Sequence, residues 1–208
     1  MTFISFEGCD FVGKSTQIKL LASYLTKMRE KVHITREPGG SELAEKIRSV
    51  LLTNREIDDP LIEYLLLAAS RKDHVDKVIK PKLKQSYYVL SDRFFDSSLC
   101  YQGYVKGLEI ETIKQIKKIT IANFQPDLSI LLTLSKEELL RRIDSKKRLE
   151  HNAYDAKKAS FHIKIQEKFK KIANDSGNRF IIINTDESKL KVHHNIVKAL
   201  KARKVILN

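Results

Sequence analysis

The chain has 208 residues, 42% hydrophobic and 31% charged, with only 7 Gly and 4 Pro, a balance that builds a core and excludes a disordered, fibrous or disulfide-stapled chain. No apolar run reaches the roughly 20 residues that cross a bilayer, and residues 2–6 are too short, and followed too soon by Glu7, to form a signal-peptide core. The 39 Lys and Arg against 26 Asp and Glu leave a formal charge of +13, which makes polyanions candidate partners, although the bases are spread along the chain and a solvated coat on helices accounts for them equally well.

In chain order, a strand-length apolar stretch at 2–6 leads into helical periodicity over 14–28, and a second at 31–35 is followed by helical segments at 41–52 and 60–83. A third stretch at 87–91 precedes a helix over 109–123, a fourth at 128–134 precedes helices over 136–144 and 156–175, and a fifth at 180–184 precedes a last helix over 188–203. Strand alternating with helix predicts a parallel sheet covered on both faces. The doubled helices after the second strand leave room for a substrate-binding flap on the rim. With no repeat, low-complexity linker or composition break, one domain over 1–208 is expected. Cys9 and Cys100 lack metal-ligand or redox-motif spacing and read as reduced thiols of a cytoplasmic protein.

Gly8-Cys9-Asp10-Phe11-Val12-Gly13-Lys14-Ser15 fits G-x-x-x-x-G-K-[ST], directly after a predicted strand and opening a predicted helix. The glycines let the backbone wrap a phosphate, its N–H groups form an anion nest, and the helix N-terminus adds a favourable dipole. Lys14 supplies a point charge to the terminal phosphates of ATP, and Ser15 a hydroxyl to Mg²⁺. Ser91-Asp92-Arg93 ends the third strand, where ligands gather in open parallel sheets. Asp92 there can hold the metal through water and Arg93 can clamp a second phosphate, although a salt bridge or helix cap explains the motif equally well on its own. Thr35-Arg36-Glu37-Pro38-Gly39-Gly40 ends the second strand in a defined turn. Taken alone it is best read as that turn, with Arg36 placed to approach the same ligand.

With these pieces in order, the chain resembles the thymidylate kinases, P-loop nucleoside monophosphate kinases that phosphorylate dTMP. The resemblance rests on Phe6-Glu7-Gly8, Gly13-Lys14-Ser15-Thr16-Gln17, the Thr35–Gly40 stretch, Ser91-Asp92-Arg93, Asp96-Ser97-Ser98 and Tyr101-Gln102-Gly103, all in family order. Pro126-Asp127-Leu128, Arg142 and Arg148-Leu149-Glu150 are similar to the family's approach to its lid. The resemblance implies a P-loop NTPase fold, a three-layer α/β/α sandwich with a five-stranded parallel sheet in order 2-3-1-4-5 and a mobile lid at about 144–155. It further implies transfer of phosphate from ATP to dTMP, a Mg²⁺ requirement and a homodimer.

Carried over residue by residue, the resemblance gives Gly8 to Thr16 to ATP, Ser15 and Asp92 to Mg²⁺, and Arg71 to the thymine edge. Arg93 grips the dTMP phosphate with Arg36 beside it, and Arg48 lines the pocket. Ser98 and Gln102 contact the base, where an amide can both donate and accept, and Tyr101 crowds the sugar. Without the resemblance, Arg71 reads as a solvated helix residue and Tyr101 as a core aromatic. Leu67 stands where the family usually has a phenylalanine under the base, a loss of stacking worth ~0.5–1.5 kcal/mol. Asp10 is assigned to the sugar 3′-hydroxyl. Phe11 leaves the phosphate loop without an arginine, so the transition-state charge falls to Arg148, with Lys146 and Lys147 as alternates, although three adjacent bases also read as a solvated run. The rivals are a kinase for another monophosphate or a nucleoside, and a basic P-loop ATPase on nucleic acid. No aromatic-basic platform supports the last, so no nucleic-acid partner is expected.

Overall fold

A computed structural model of the chain describes residues 2–53, 57–150 and 156–206, with side chains except at 146–150 and 156–159. The five apolar stretches form strands β1 (Thr2–Glu7), β2 (Val32–Arg36), β3 (Tyr88–Asp92), β4 (Leu128–Thr133) and β5 (Phe180–Asn184). They pair in parallel in the order β2-β3-β1-β4-β5, as expected. β4 is buried at every residue, which is why it reads as an unbroken apolar run instead of an alternating one. Register decides where the loops emerge: Phe6 of β1 and Arg36 of β2 both lie opposite Asp92 of β3. The carboxyl ends of these strands therefore finish in line, and the three motif-bearing turns leave the sheet side by side.

Helices cover both faces. On one, α1 (Lys14–Lys27), α8 (Ala156–Asp175) and α9 (Lys189–Ala202) bury Leu21, Leu25, Phe169, Ile196 and Leu200 against the sheet. On the other, α3 (Pro60–His74) and α6 (Ile110–Ile121) bury Tyr64, Ala68, Ile113 and Ile121 with Phe3 and Phe94. α2 (Glu42–Thr53) lies beyond α3 at the rim. Asp59 caps α3 by accepting from Leu61 N–H at 2.7 Å, with Pro60 at its first position, a start that the sequence announces.

Two helical differences from the sequence expectation have local causes. The run expected over 60–83 continues from α3 through a π turn, Val75–Ile79, into α4 (Lys80–Lys84), because Pro81 brings no N–H to a regular ladder. After β3, the short helix α5 (Phe95–Ser98) and a π turn, Leu99–Val105, form a segment that the periodicity does not announce, since neither is long or regular enough to repeat a 3.6-residue pattern. α7 (Lys136–Glu150) runs past the expected end at 144. The lid expected at about 144–155 reaches into residues 151–155, which lie outside the described residues.

Candidate active site

The loop between β1 and α1 is shaped by its glycines. Gly8 has φ 134°, and a Cβ there would stand 2.5 Å from the Leu132 carbonyl oxygen, so a side chain is excluded by both conformation and space. The Lys14 ammonium lies inside the loop, donating to the carbonyls of Gly8 (3.1 Å) and Cys9 (2.8 Å). Burial, aided by the Arg93 charge, pushes its pKa down to about 8. Ser15 Oγ donates to Asp92 Oδ2 at 3.0 Å, which sets two side-chain oxygens together on the floor of the loop. Thr16 lines the same floor. Cys9 and Val12 belong to the phosphate loop through their backbone alone, since both side chains are buried in the core; burial pushes the Cys9 thiol up to about 11, far from a nucleophile. Arg142 fastens the loop apex by donating to the carbonyls of Phe11 (3.0 Å) and Thr185 (2.7 Å). That engagement ties the N-terminal part of α7 to the loop.

A cleft of about 370 Å³ opens over this loop, and a second of about 360 Å³ lies beside it, lined by Leu67, Arg71, Ser98, Tyr101 and Gln102. Asp10, Glu37, Arg48 and Arg93 line both, so the clefts meet at these four side chains. Arg36 lines the first cleft together with Arg93, and its guanidinium pairs with Glu45 at 2.8 Å. Arg48 donates to the Pro38 carbonyl at 2.7 Å.

Arg93 is held from several sides. Its backbone is left-handed, with φ 73°, fixed by its N–H on the Phe6 carbonyl (3.0 Å) and by Ser91 Oγ on its own carbonyl (2.7 Å). The guanidinium donates to Gly8 O (3.0 Å) and Asp10 Oδ1 (2.8 Å) and lies over the Tyr101 ring, 5.2 Å from its centre. Burial would raise the Asp10 pKa, but the charges of Arg93, Lys14 and His162 outweigh it and hold the carboxyl below the usual range. Asp10 therefore spans to Arg93 with one oxygen, an ion pair that the sequence does not reveal. Glu7, wholly buried, accepts from Phe94 N–H (2.8 Å) and Ser97 Oγ (2.6 Å) and so fixes the start of α5; burial, reinforced by Asp96, pushes its pKa up to about 8.

The second cleft is set by carboxylates. Arg71, 4% exposed, donates through Nε to Glu37 Oε2 (2.7 Å) and through NH2 to Ser98 Oγ (2.9 Å), with Phe94 and Phe95 rings beside its guanidinium. It is not the solvated helix residue of its bare sequence context. The other Glu37 oxygen lies 3.2 Å from His74 Nδ1, and His74 Nε2 is 2.6 Å from Thr35 Oγ1. Gln102 donates its amide Nε2 to Glu63 Oε2 at 3.0 Å, and Lys106 Nζ reaches the same oxygen at 2.8 Å. Among the described residues the buried Tyr101 hydroxyl has no hydrogen-bond partner. Glu7, Glu37, Glu63 and His74 are residues that sequence reasoning missed. Glu7 and Glu37 sit inside quoted motifs, but carboxylates beside a phosphate site carry no signal until their buried arginine and amide partners are known. The side chains of Arg148, Lys146 and Lys147 lie outside the described residues.

Comparison with known proteins agrees with this geometry. The thymidylate kinase family model matches residues 6–196. A thymidylate kinase of Thermoanaerobacter sp. (strain X514) is 39% identical over 201 residues, covering 96% of this chain and 97% of that one. One of Mycoplasma mobile is 43% identical over 204 residues, covering 94% and 95%. The crystal structure of thymidylate kinase from Ehrlichia chaffeensis superposes with a TM-score of 0.77 at 32% identity, covering 96% of this chain and 98% of that one. With likeness of this extent in sequence and fold, the chain belongs to the thymidylate kinase family.

Proposed function

We propose that the protein transfers the γ-phosphoryl group of ATP to a phosphate oxygen of dTMP, giving ADP and dTDP. The observation that carries this reading is the meeting of the two clefts at Asp10, Glu37, Arg48 and Arg93, where a donor phosphate and an acceptor phosphate can be held against each other. The transfer is in line and direct, and a phosphate monoester needs no strong general base. The loop N–H groups cradle the donor phosphates, and Lys14 turns from the Gly8 and Cys9 carbonyls onto them. Arg93 and Arg48 steady the acceptor phosphate. Asp10 keeps its second oxygen for the sugar 3′-hydroxyl, Tyr101 packs at the sugar, and Leu67 lies beneath the base. Arg71, Ser98 and Gln102 meet the base edge. The lid supplies a base to the transferring group, with Arg148 first among its candidates.

Ser15 Oγ and Asp92 Oδ2 are hard oxygen donors 3.0 Å apart, a pair that would suit Mg²⁺. Held by Ser15 and Asp92, Mg²⁺ would supply positive charge to offset that of the donor phosphate oxygens. Exposed Leu43 and Val50 on α2, with Leu61, Ile62 and Leu65 on α3, offer an apolar face for a homodimer. Among the described residues no helix is long and apolar enough to cross a membrane, and the two cysteines are free and buried, as suits a cytoplasmic protein. ADP release is measured with ATP, Mg²⁺ and each of dTMP, dCMP, dAMP and dGMP in turn. The highest kcat/KM is expected with dTMP; faster turnover of any other member of that panel overturns the assignment.

A further inference from the structure

Glu63 lies in the first turn of α3, at the wall of the second cleft. From the geometry we infer that Glu63 is a specificity-positioning residue, locking the Gln102 amide so that its carbonyl faces the base and the cleft rejects cytosine. The inference rests on the reading of this cleft as the dTMP site. A carboxylate oxygen accepts and does not donate, so the Gln102 amide must present its nitrogen to Glu63, as it does at 3.0 Å. Lys106 donates to the same oxygen at 2.8 Å and gives the carboxylate a second tether.

The consequence falls on the other end of the amide. Gln102 is 5% exposed and lines the cleft, and no protein donor reaches its Oε1 among the described residues. An unrestrained amide can turn over and offer either group; one tied by its nitrogen offers a carbonyl acceptor. Arg71, in the same cleft, offers donors alone, and Glu37 and Ser98 hold it in place. An acceptor beside a donor matches N3–H and O4 of thymine or uracil. Cytosine has the opposite order, a lone pair at N3 and an amino group at C4, so both contacts become repulsive or unpaired. The selection against cytosine is thus set one residue behind the base, by a carboxylate that the base does not touch.

Glu63→Gln keeps the shape but can accept or donate, which frees the Gln102 amide to turn. Calorimetric Kd values for dTMP, dUMP and dCMP are measured on wild-type and variant protein, with thermal melts alongside. The dCMP:dTMP Kd ratio is expected to fall about tenfold in Glu63→Gln, the worth of one hydrogen bond of reversed polarity. The dUMP:dTMP ratio, which tests the methyl group and not the edge, is expected to stay within about twofold. Glu63→Asp, which retains a carboxylate, is run in parallel and is expected to keep more of the wild-type dCMP:dTMP ratio than Glu63→Gln does. Equal weakening of all three ligands in Glu63→Gln, or a dCMP:dTMP ratio that moves by less than about threefold, overturns the role of Glu63. Wild-type protein that binds dCMP as tightly as dTMP overturns the dTMP reading itself, which is a separate result.

Discussion

The loop between β1 and α1 brings Asp10, Phe11, Gly13, Lys14, Ser15 and Thr16 to the proposed donor cleft from one short stretch of chain, joined there by Arg36, Glu37, Arg48, Asp92 and Arg93, while the proposed acceptor cleft draws Glu37, Glu63, Arg71, Arg93 and Gln102 from separate turns and helices. The first is made by backbone: glycine dihedrals, carbonyls around Lys14 and a helix N-terminus. The second is made by side chains, with Arg71 and Gln102 each held by a carboxylate behind it. A backbone site tolerates changes in most side chains but not in its glycines or its lysine. A site of paired side chains fails one partner at a time, and in one ligand at a time.

The largest effect expected is on the donor side. Lys14→Ala removes the ammonium from the loop and should lower kcat by on the order of 10²–10³, as loss of a preorganised charge does, with dTMP affinity by calorimetry nearly unchanged. Gly8→Ala tests the backbone argument itself. Its Cβ meets the Leu132 carbonyl at 2.5 Å with φ at 134°, so about 2–4 kcal/mol of stability should be lost in denaturant unfolding. A variant as stable as the parent would show that the loop has room to give.

On the acceptor side, Glu37→Gln leaves the buried Arg71 charge incompletely matched. It should raise the KM for dTMP about 10–100-fold while the KM for ATP stays near the parent value, as steady-state kinetics will show. Leu67→Phe restores a ring beneath the base and should tighten dTMP binding by about 2–10-fold. Weaker binding would mean that the cleft is shaped around leucine.

The smallest effect concerns protons. In the free protein Lys14 titrates at about 8, so near pH 8.5 much of it is neutral, whereas a bound polyphosphate favours the ammonium. ATP binding at that pH should therefore take up roughly 0.5–0.8 of a proton, and the uptake should vanish below pH 7, where Lys14 already carries its charge. Calorimetry in buffers of different ionisation enthalpy reads this directly, and it should be absent in Lys14→Ala.

The same division explains what was legible in the sequence. The five strands of a parallel sheet, the phosphate loop and the positions of Ser15, Asp92 and Arg93 follow from local patterns, because strand runs, glycine spacing and strand-end motifs are written in neighbouring residues, whereas the strand order came with the family likeness. Arg71, Tyr101 and Gln102 were reached through family likeness; composition alone would leave them as surface or core. Their partners escaped because Glu37 and Arg71 are 34 residues apart, and Gln102 and Glu63 39 residues apart, and no local pattern links them. The α5 and π-turn segment escaped for another reason: π-turn spacing does not repeat at 3.6 residues, so no amphipathic stripe marks it. The strand-end rule brings Arg36 near a ligand, and it lines the first cleft with Arg93 and Asp92, but the rule does not say which side chain pairs with it.

The most direct test of the two-part construction is a crossed titration, with ATP and dTMP each measured by calorimetry against Lys14→Ala and Arg71→Gln. Lys14→Ala should lose ATP affinity and keep dTMP affinity, and Arg71→Gln should do the reverse, each retained affinity lying within about twofold of the parent. If either variant weakens both ligands to the same extent, the clefts are one energetic unit and the division between a backbone-built donor site and a carboxylate-held acceptor site is wrong.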